Sequence, residues 1–345
     1  MKFRVSVVLA LLALSALSIW YFSLDDQRRT DRISDYGLVF PGLIDQINEI
    51  REVRIKSYQD SVSLKLQDSA WQISRFDNYP ARPSTVSNFL IGFAQMRKIE
   101  PKTSNPDKFV AIDLAGIETE NSLSTQIDLL TRDNRMLASL LVGKRRQSVR
   151  NILLTEFHVR EPHADQTWLV ESGLTIPAQA IDWIDTELLN LDEQVDRVTI
   201  ESPTNQPIRV SRDPQDSENF LLEDIPESHK IRYQFQLNEI GEIFRRLNFE
   251  DVKRVTDWES RITVTVRTTN NLLVSAEFGD DKSLNFVLLT AQAMENSTPE
   301  VFEMAKSLNS IWSGWKYRVS DVRRETAELT IFDLVEPIEG SSISN

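Results

Sequence analysis

The sequence predicts an α+β protein: one N-terminal transmembrane helix, then two similar domains of antiparallel strands and helices. Three observations carry this. Val5 to Leu24 runs without a charged residue. Beyond it, short alternating apolar runs recur between polar turn residues, which is the pattern of strands with one buried face. Those runs also reappear in the same order in a second half, an internal repeat.

The chain has 345 residues, enough for two domains with a sizeable core. A hydrophobic share of 41% and a charged share of 26% are those of a globular protein. The net charge of −13 repels phosphate backbones, so no nucleic-acid partner is expected. It also opposes a broad electrostatic grip on anionic lipid. With no cysteine, disulfides, thiolate metal sites, cysteine nucleophiles and a lipid-modified cysteine are excluded.

Lys2 and Arg4 precede the apolar run, which at 1.5 Å per residue spans roughly 30 Å, about the hydrocarbon thickness of a bilayer. Trp20 and Tyr21 stand near its outer end, where amphipathic rings favour the interface. Ala13 and Ala16 offer a signal-peptide cleavage site, but the apolar run continues through Ile19 to Phe22. That favours an uncleaved anchor over residues 1–24. Arg28, Arg29 and Arg32 are offset by Asp25, Asp26 and Asp31, so flanking charge does not set the orientation. A short basic region before an apolar run is an export signal, which places the N-terminus in the cytoplasm and the body in the bacterial periplasm.

After a membrane-proximal linker over residues 25–48, the first domain takes residues 49–191 and the second 192–320, with the boundary near Leu191 to Val195. Val53 and Ile55 alternate as a first strand, repeated by Val198 and Ile200 at an offset of 145 (198 − 53). Second strands follow at Val62 to Leu66 and Ile208 to Val210. Third strands hold Trp71 and Phe220, both expected to be buried. Val86, Phe89, Leu90 and Phe93 fall on one helical face, as do Leu237, Ile240 and Phe244, at an offset of 151 (237 − 86). A hairpin follows in each half. Asn134, Leu137, Ser139 and Gly143 meet Asn270, Leu273, Ser275 and Gly279 at an offset of 136 (270 − 134), with an asparagine at the turn. The drop from 151 to 136 leaves about 15 extra residues in the first half, assigned to Thr103 to Glu120. Strands at Ile152 to Val159, Thr167 to Glu171 and Leu284 to Thr290 come next. Helices at Ala178 to Leu189 and Pro299 to Trp312 close the halves, each led by a proline. Residues 321–345 read as a tail.

Several stretches carry a family resemblance: LVFPGLIDQINEIREVRI over Leu38 to Ile55, Trp71, Tyr79-Pro80-Ala81, EPKTSNP over Glu100 to Pro106, and Leu141-Val142-Gly143-Lys144. Together they resemble domain-of-unknown-function family 4340 from about Leu38 to Glu336. The resemblance implies a membrane-anchored bacterial protein. Its relatives are often encoded beside ABC-type transporter subunits and proteins similar to gliding-motility auxiliary components. It implies a periplasmic accessory role in such an inner-membrane complex and supplies no catalytic residue.

The residues themselves offer few chemical groupings. His158 and His163 flank Glu161, with Glu156 nearby, but five positions along a strand turn the two histidines to opposite faces. His229 reads as a solvated loop residue. Acidic pairs (Asp182 with Asp185, Asp192 with Glu193, Asp280 with Asp281) are what 52 acidic residues produce by abundance. Trp312, Trp315 and Tyr317 read as core, or else as an aromatic surface for glycan. No catalytic residue, cofactor or metal is expected. Lys144, Arg145, Arg146 and Arg150 form the sharpest basic cluster, read as a hairpin loop and a docking point for an acidic partner, with Arg245-Arg246 and Arg323-Arg324 as weaker versions. The leading expectation is a non-enzymatic interaction protein. The alternatives are an envelope hydrolase with a carboxylate site and a periplasmic glycan-binding module.

Overall fold

The computed structural model describes residues 36–149, 151–191, 195–279 and 285–338. The anchor Val5 to Leu24, Arg150, and the acidic pairs Asp192/Glu193 and Asp280/Asp281 lie outside the described residues. Among the described residues, no helix is long and apolar enough to cross a membrane. They form antiparallel sheets with a few helices, grouped in two compact units. One unit runs to Trp183 without Phe76–Tyr79, and the other comprises Phe76–Tyr79 and the chain from Ile184.

The elements up to Ser172 are β1 (Glu52–Lys56), β2 (Ser61–Gln67), β3 (Ala70–Ile73), β4 (Tyr79–Pro80), α1 (Pro83–Ala94), β5 (Arg97–Pro101), β6 (Thr125–Leu130), β7 (Met136–Gln147), β8 (Thr155–Arg160) and β9 (Trp168–Ser172); of β4, only Pro80 belongs to the first unit. They make one sheet in the order β4-β3-β2-β1-β6-β7-β8-β9-β5. Alternation sets the register: Val53 pairs with Leu64 and Leu129, Ile55 with Val62 and Ile127, and all six are buried. Helix α1 starts with Pro83, whose missing N–H costs nothing there, and buries Val86, Phe89, Leu90 and Phe93 as their spacing demands. The extra segment forms two short turns, Pro106–Lys108 and Val110–Ile112. Its Phe109 and Leu114 pack on Leu141, which faces away from Leu140 on β7.

The polar face of this sheet is hydrogen-bonded throughout its centre. Arg54 Nε donates to Glu52 at 2.8 Å, Ser63 Oγ donates to Glu52 at 2.9 Å, and Ser139 Oγ donates to Asp128 at 2.6 Å. The Arg54 guanidinium holds the Glu52 carboxyl below its usual range against the opposing effect of burial. A lowered folded value stabilises the fold above the usual carboxylate range, and that contribution disappears as pH falls through the folded value. Arg54→Gln should therefore lower the urea midpoint at pH 7, and the difference from the parent should shrink towards pH 3. Equal differences at both pH values would exclude this pair as the cause.

The second unit contains β10 (Glu187–Asn190), β11 (Val195–Glu201), β12 (Ile208–Arg212), β13 (Phe220–Leu222), β14 (His229–Ile231), α2 (Gln234–Gly241), β15 (Arg246–Asn248), β16 (Asp251–Arg254), β17 (Ser260–Thr268), β18 (Leu272–Gly279), β19 (Phe286–Ala293), α3 (Pro299–Trp312), β20 (Trp315–Arg318), α4 (Asp321–Ala327), α5 (Ile331–Leu334) and β21 (Val335–Pro337). Its main sheet has the order β13-β12-β11-β17-β18-β19-β20-β16. In each unit, then, the third, second and first strands are followed by the hairpin, two further strands and a strand that comes after the helix.

Several expectations change. Ala178 to Leu189 is not a helix: a single turn, Ala180–Trp183, leads into β10, which pairs with β15. Ile181, Ile184 and Leu188 have helical spacing, but strand pairing of Leu189 with Leu247 overrides that local preference. Helix α3 lies between β19 and β20, whereas β8 and β9 are joined by a short turn, so the closing helices expected in the two halves do not correspond. Residues 321–338 are not a tail. They form α4 and α5, and β21 pairs with β14. Trp71 pairs with Leu66 and is only half-buried, while Phe220, opposite Arg212, is buried.

The hairpin turns match one residue away from the expected pairing. The residues with left-handed backbone are Asn134 (φ 61°) and Asn271 (φ 67°), an offset of 137 (271 − 134). In both turns a threonine hydroxyl caps the loop: the Arg135 N–H donates to Thr131 Oγ1 at 3.2 Å and the Leu272 N–H donates to Thr268 Oγ1 at 3.0 Å. A bulge in β7, between the partners of Leu129 and Leu130, holds the extra residue and returns the offset to 136 (279 − 143) at Gly143 and Gly279.

Candidate functional site

The basic cluster does not stand in a loop. Strand β7 runs on through Gly143, Lys144, Arg145 and Arg146 to Gln147, with a bulge between Val142 and Arg145. Gly143 permits a close approach of the 110–113 turn, because a Cβ there would lie 2.3 Å from the Ile112 carbonyl oxygen and 2.6 Å from that of Asp113. The same approach brings the 110–113 turn against the strand, where Lys144 Nζ donates to the Ala111 carbonyl at 2.8 Å.

The three described basic residues differ in what they are free to do. Arg146 Nε and a second guanidinium nitrogen each reach Glu156 at 2.7 Å, and the Glu156 side chain is only 2% exposed. Arg146, itself 62% exposed, is thus held by a buried partner. Arg145 is exposed and helps line a cavity of about 490 Å³ with Lys144, Asp60 and Asp113. Buried Val62, Val142, Phe157 and Trp183 supply its apolar lining. Asp60 is itself paired with Arg75 at 2.7 Å.

The connection from β7 to β8 makes an exposed tip, of which Ser148, Val149 and residues 151–154 are described. The Ser148 N–H donates to the Leu154 carbonyl at 3.0 Å, and Ser148 Oγ donates to Glu171. Val149, Ile152 and Leu153 on this tip are 85%, 79% and 82% exposed. Sequence reasoning missed them. The sequence reading places Ile152 and Leu153 in a strand, but β8 starts only at Thr155.

The other candidates are dispersed. His158 on β8 is half-buried, its Nδ1 lies 3.4 Å from the Lys144 carbonyl oxygen, and burial pushes its pKa down. His163 is exposed, and His229 stands on β14. Among the described residues, no group of histidines and carboxylates could hold a metal ion. Asp182 accepts the Gln179 N–H at 2.9 Å, a turn-forming role. Trp312, Trp315 and Tyr317 are 2%, 6% and 0% exposed, so they pack as core and present no aromatic surface. Arg245 pairs with Glu242, Arg323 donates to the Glu242 and Arg246 carbonyls, and Arg324 pairs with Glu328.

The family model described as Domain of unknown function (DUF4340) matches residues 71–272, more than half of the chain. The chain belongs to that family. No curated protein and no solved structure matches it. In this DUF4340 protein the matched region includes α1, the extra segment, β7 with its basic end, and the tip Ser148 to Leu154. It reaches β17 and the first residue of β18.

Proposed function

We propose that this DUF4340 protein is a single-pass, membrane-anchored periplasmic accessory of an ABC-type transporter complex, working through protein–protein contact without catalysis. The observation that carries the reading is the uncharged run Val5 to Leu24, preceded by Lys2 and Arg4 and followed by a sheet-rich body of this family. The transporter context is what the family resemblance implies. Part of the same proposal is that the body holds two copies of one α+β design, each offering sheet faces and loops to partners. The common strand order, the threonine-capped turns and the paired glycines Gly143 and Gly279 support that view.

Purification of the full chain from membranes in mild detergent should bring permease and ATPase subunits with it. A periplasm-specific reporter fused after Asn345 should be active, and removal of residues 5–24 should leave the body in the cytosol. Recovery of the protein alone would remove the accessory role, and activity of a cytosolic reporter at Asn345 would invert the topology.

A further inference from the structure

We propose that Val149, Ile152 and Leu153, with Lys144 and Arg145 at the base of their tip, form a membrane-contacting surface that seats on anionic phospholipid. The proposal rests on the anchored topology above and adds an orientation: the first unit meets the bilayer by this end.

Single exposed aliphatic residues are ordinary on a protein surface. Val149, Ile152 and Leu153 are different, since three side chains at least 79% exposed crowd one short turn. Two more exposed aliphatics belong to the same end of the sheet. Leu123, 73% exposed, lines the cavity beside Lys144 and Arg145. Val110, 68% exposed, adjoins Ala111, whose carbonyl holds Lys144 Nζ. Apolar side chains beside exposed ammonium and guanidinium groups are the pattern of surfaces that rest in the headgroup region. The apolar atoms enter the acyl boundary while the cations meet lipid phosphates.

Reach favours lipid over an acidic protein groove, and the basic patch is compatible with an anionic bilayer. A chain of net charge −13 is repelled by an anionic surface except where a local basic patch faces it. Tyr36, the first described residue, follows Leu24 by 12 positions (36 − 24). An extended chain of that length spans at most about 40 Å, which keeps the first unit beside the bilayer that holds the anchor.

The absence of cysteine makes the test direct. Ile152→Cys in the full chain, labelled with an environment-sensitive fluorophore, is reconstituted into vesicles of phosphatidylglycerol and phosphatidylcholine that carry brominated acyl chains. Its emission should shift to the blue, with quenching at least about twice that of a label at Arg132→Cys, an exposed site before the other end of β7. Adding Lys144→Glu and Arg145→Glu, or using phosphatidylcholine alone, should bring the two labels close together. If the chain floats with the vesicles while the label at position 152 stays in water, the tip proposal fails and the anchor stands. Shielding that appears only when a co-purified protein complex is added also overturns it, because the occupant is then a protein. A chain that does not float overturns both readings.

Discussion

Arg146→Glu should destabilise the first unit by about 2 kcal/mol, whereas Arg145→Glu, one residue earlier on the same strand, should cost only a few tenths. The difference lies in their partners. Glu156 is 2% exposed and has its charge met by two nitrogens of Arg146. Across the ladder, Glu156 stands directly opposite Glu171, so the guanidinium also relieves a pair of like charges on neighbouring strands. Reversal would leave one carboxylate buried and set another against it. The reading of Lys144, Arg145 and Arg146 as one docking cluster must therefore be divided, since a triple reversal would confuse loss of fold with loss of contact. Denaturant midpoints of the two single variants decide the matter. The charge swap Arg146→Glu with Glu156→Arg should recover part of the loss, and equal midpoints for the two single variants would contradict the assignment.

Gly143→Ala and Gly279→Ala should each lower stability by about 3 kcal/mol, at the upper end of the usual cost of overpacking. The added Cβ would stand 2.3 Å from the Ile112 carbonyl oxygen in the first case and 2.1 Å from that of Glu259 in the second. Both obstacles are backbone, so relief requires a strand or turn to move rather than a side chain to swing aside. Gly173→Ala is the control. There the nearest atom is the Leu154 side chain at 3.9 Å, and the change should stay within a few tenths of a kcal/mol. Thermal unfolding of the three variants provides the comparison. If either Gly143→Ala or Gly279→Ala behaves like the control, the close approach at that position does not constrain the fold.

What the sequence determined by itself was local and periodic. Alternation at Val53 and Ile55, at Val62 and Leu64, and at Val264 and Val266 specified strands and their buried faces, because side chains on a strand point to opposite sides in turn. The spacing of Val86, Phe89, Leu90 and Phe93 specified α1 and its buried face in the same way. Family membership was legible too, since it rests on residue identities alone. Tertiary structure decided what distant partners impose. Leu189 became part of a strand because Leu247 pairs with it, against the helical spacing around it. Residues 321–338 gained structure partly because His229 to Ile231 offered an edge for β21. The one-residue difference between the hairpins became visible only as a bulge, because register depends on which backbone groups meet across the ladder. The candidate site divides along the same line. A run of basic residues is visible in any sequence, but only the folded sheet ties Arg146 to a buried carboxylate and leaves Arg145 free. It also carries Val149, Ile152 and Leu153 past the ends of the strands into solvent, where no local pattern distinguishes an exposed aliphatic residue from a buried one.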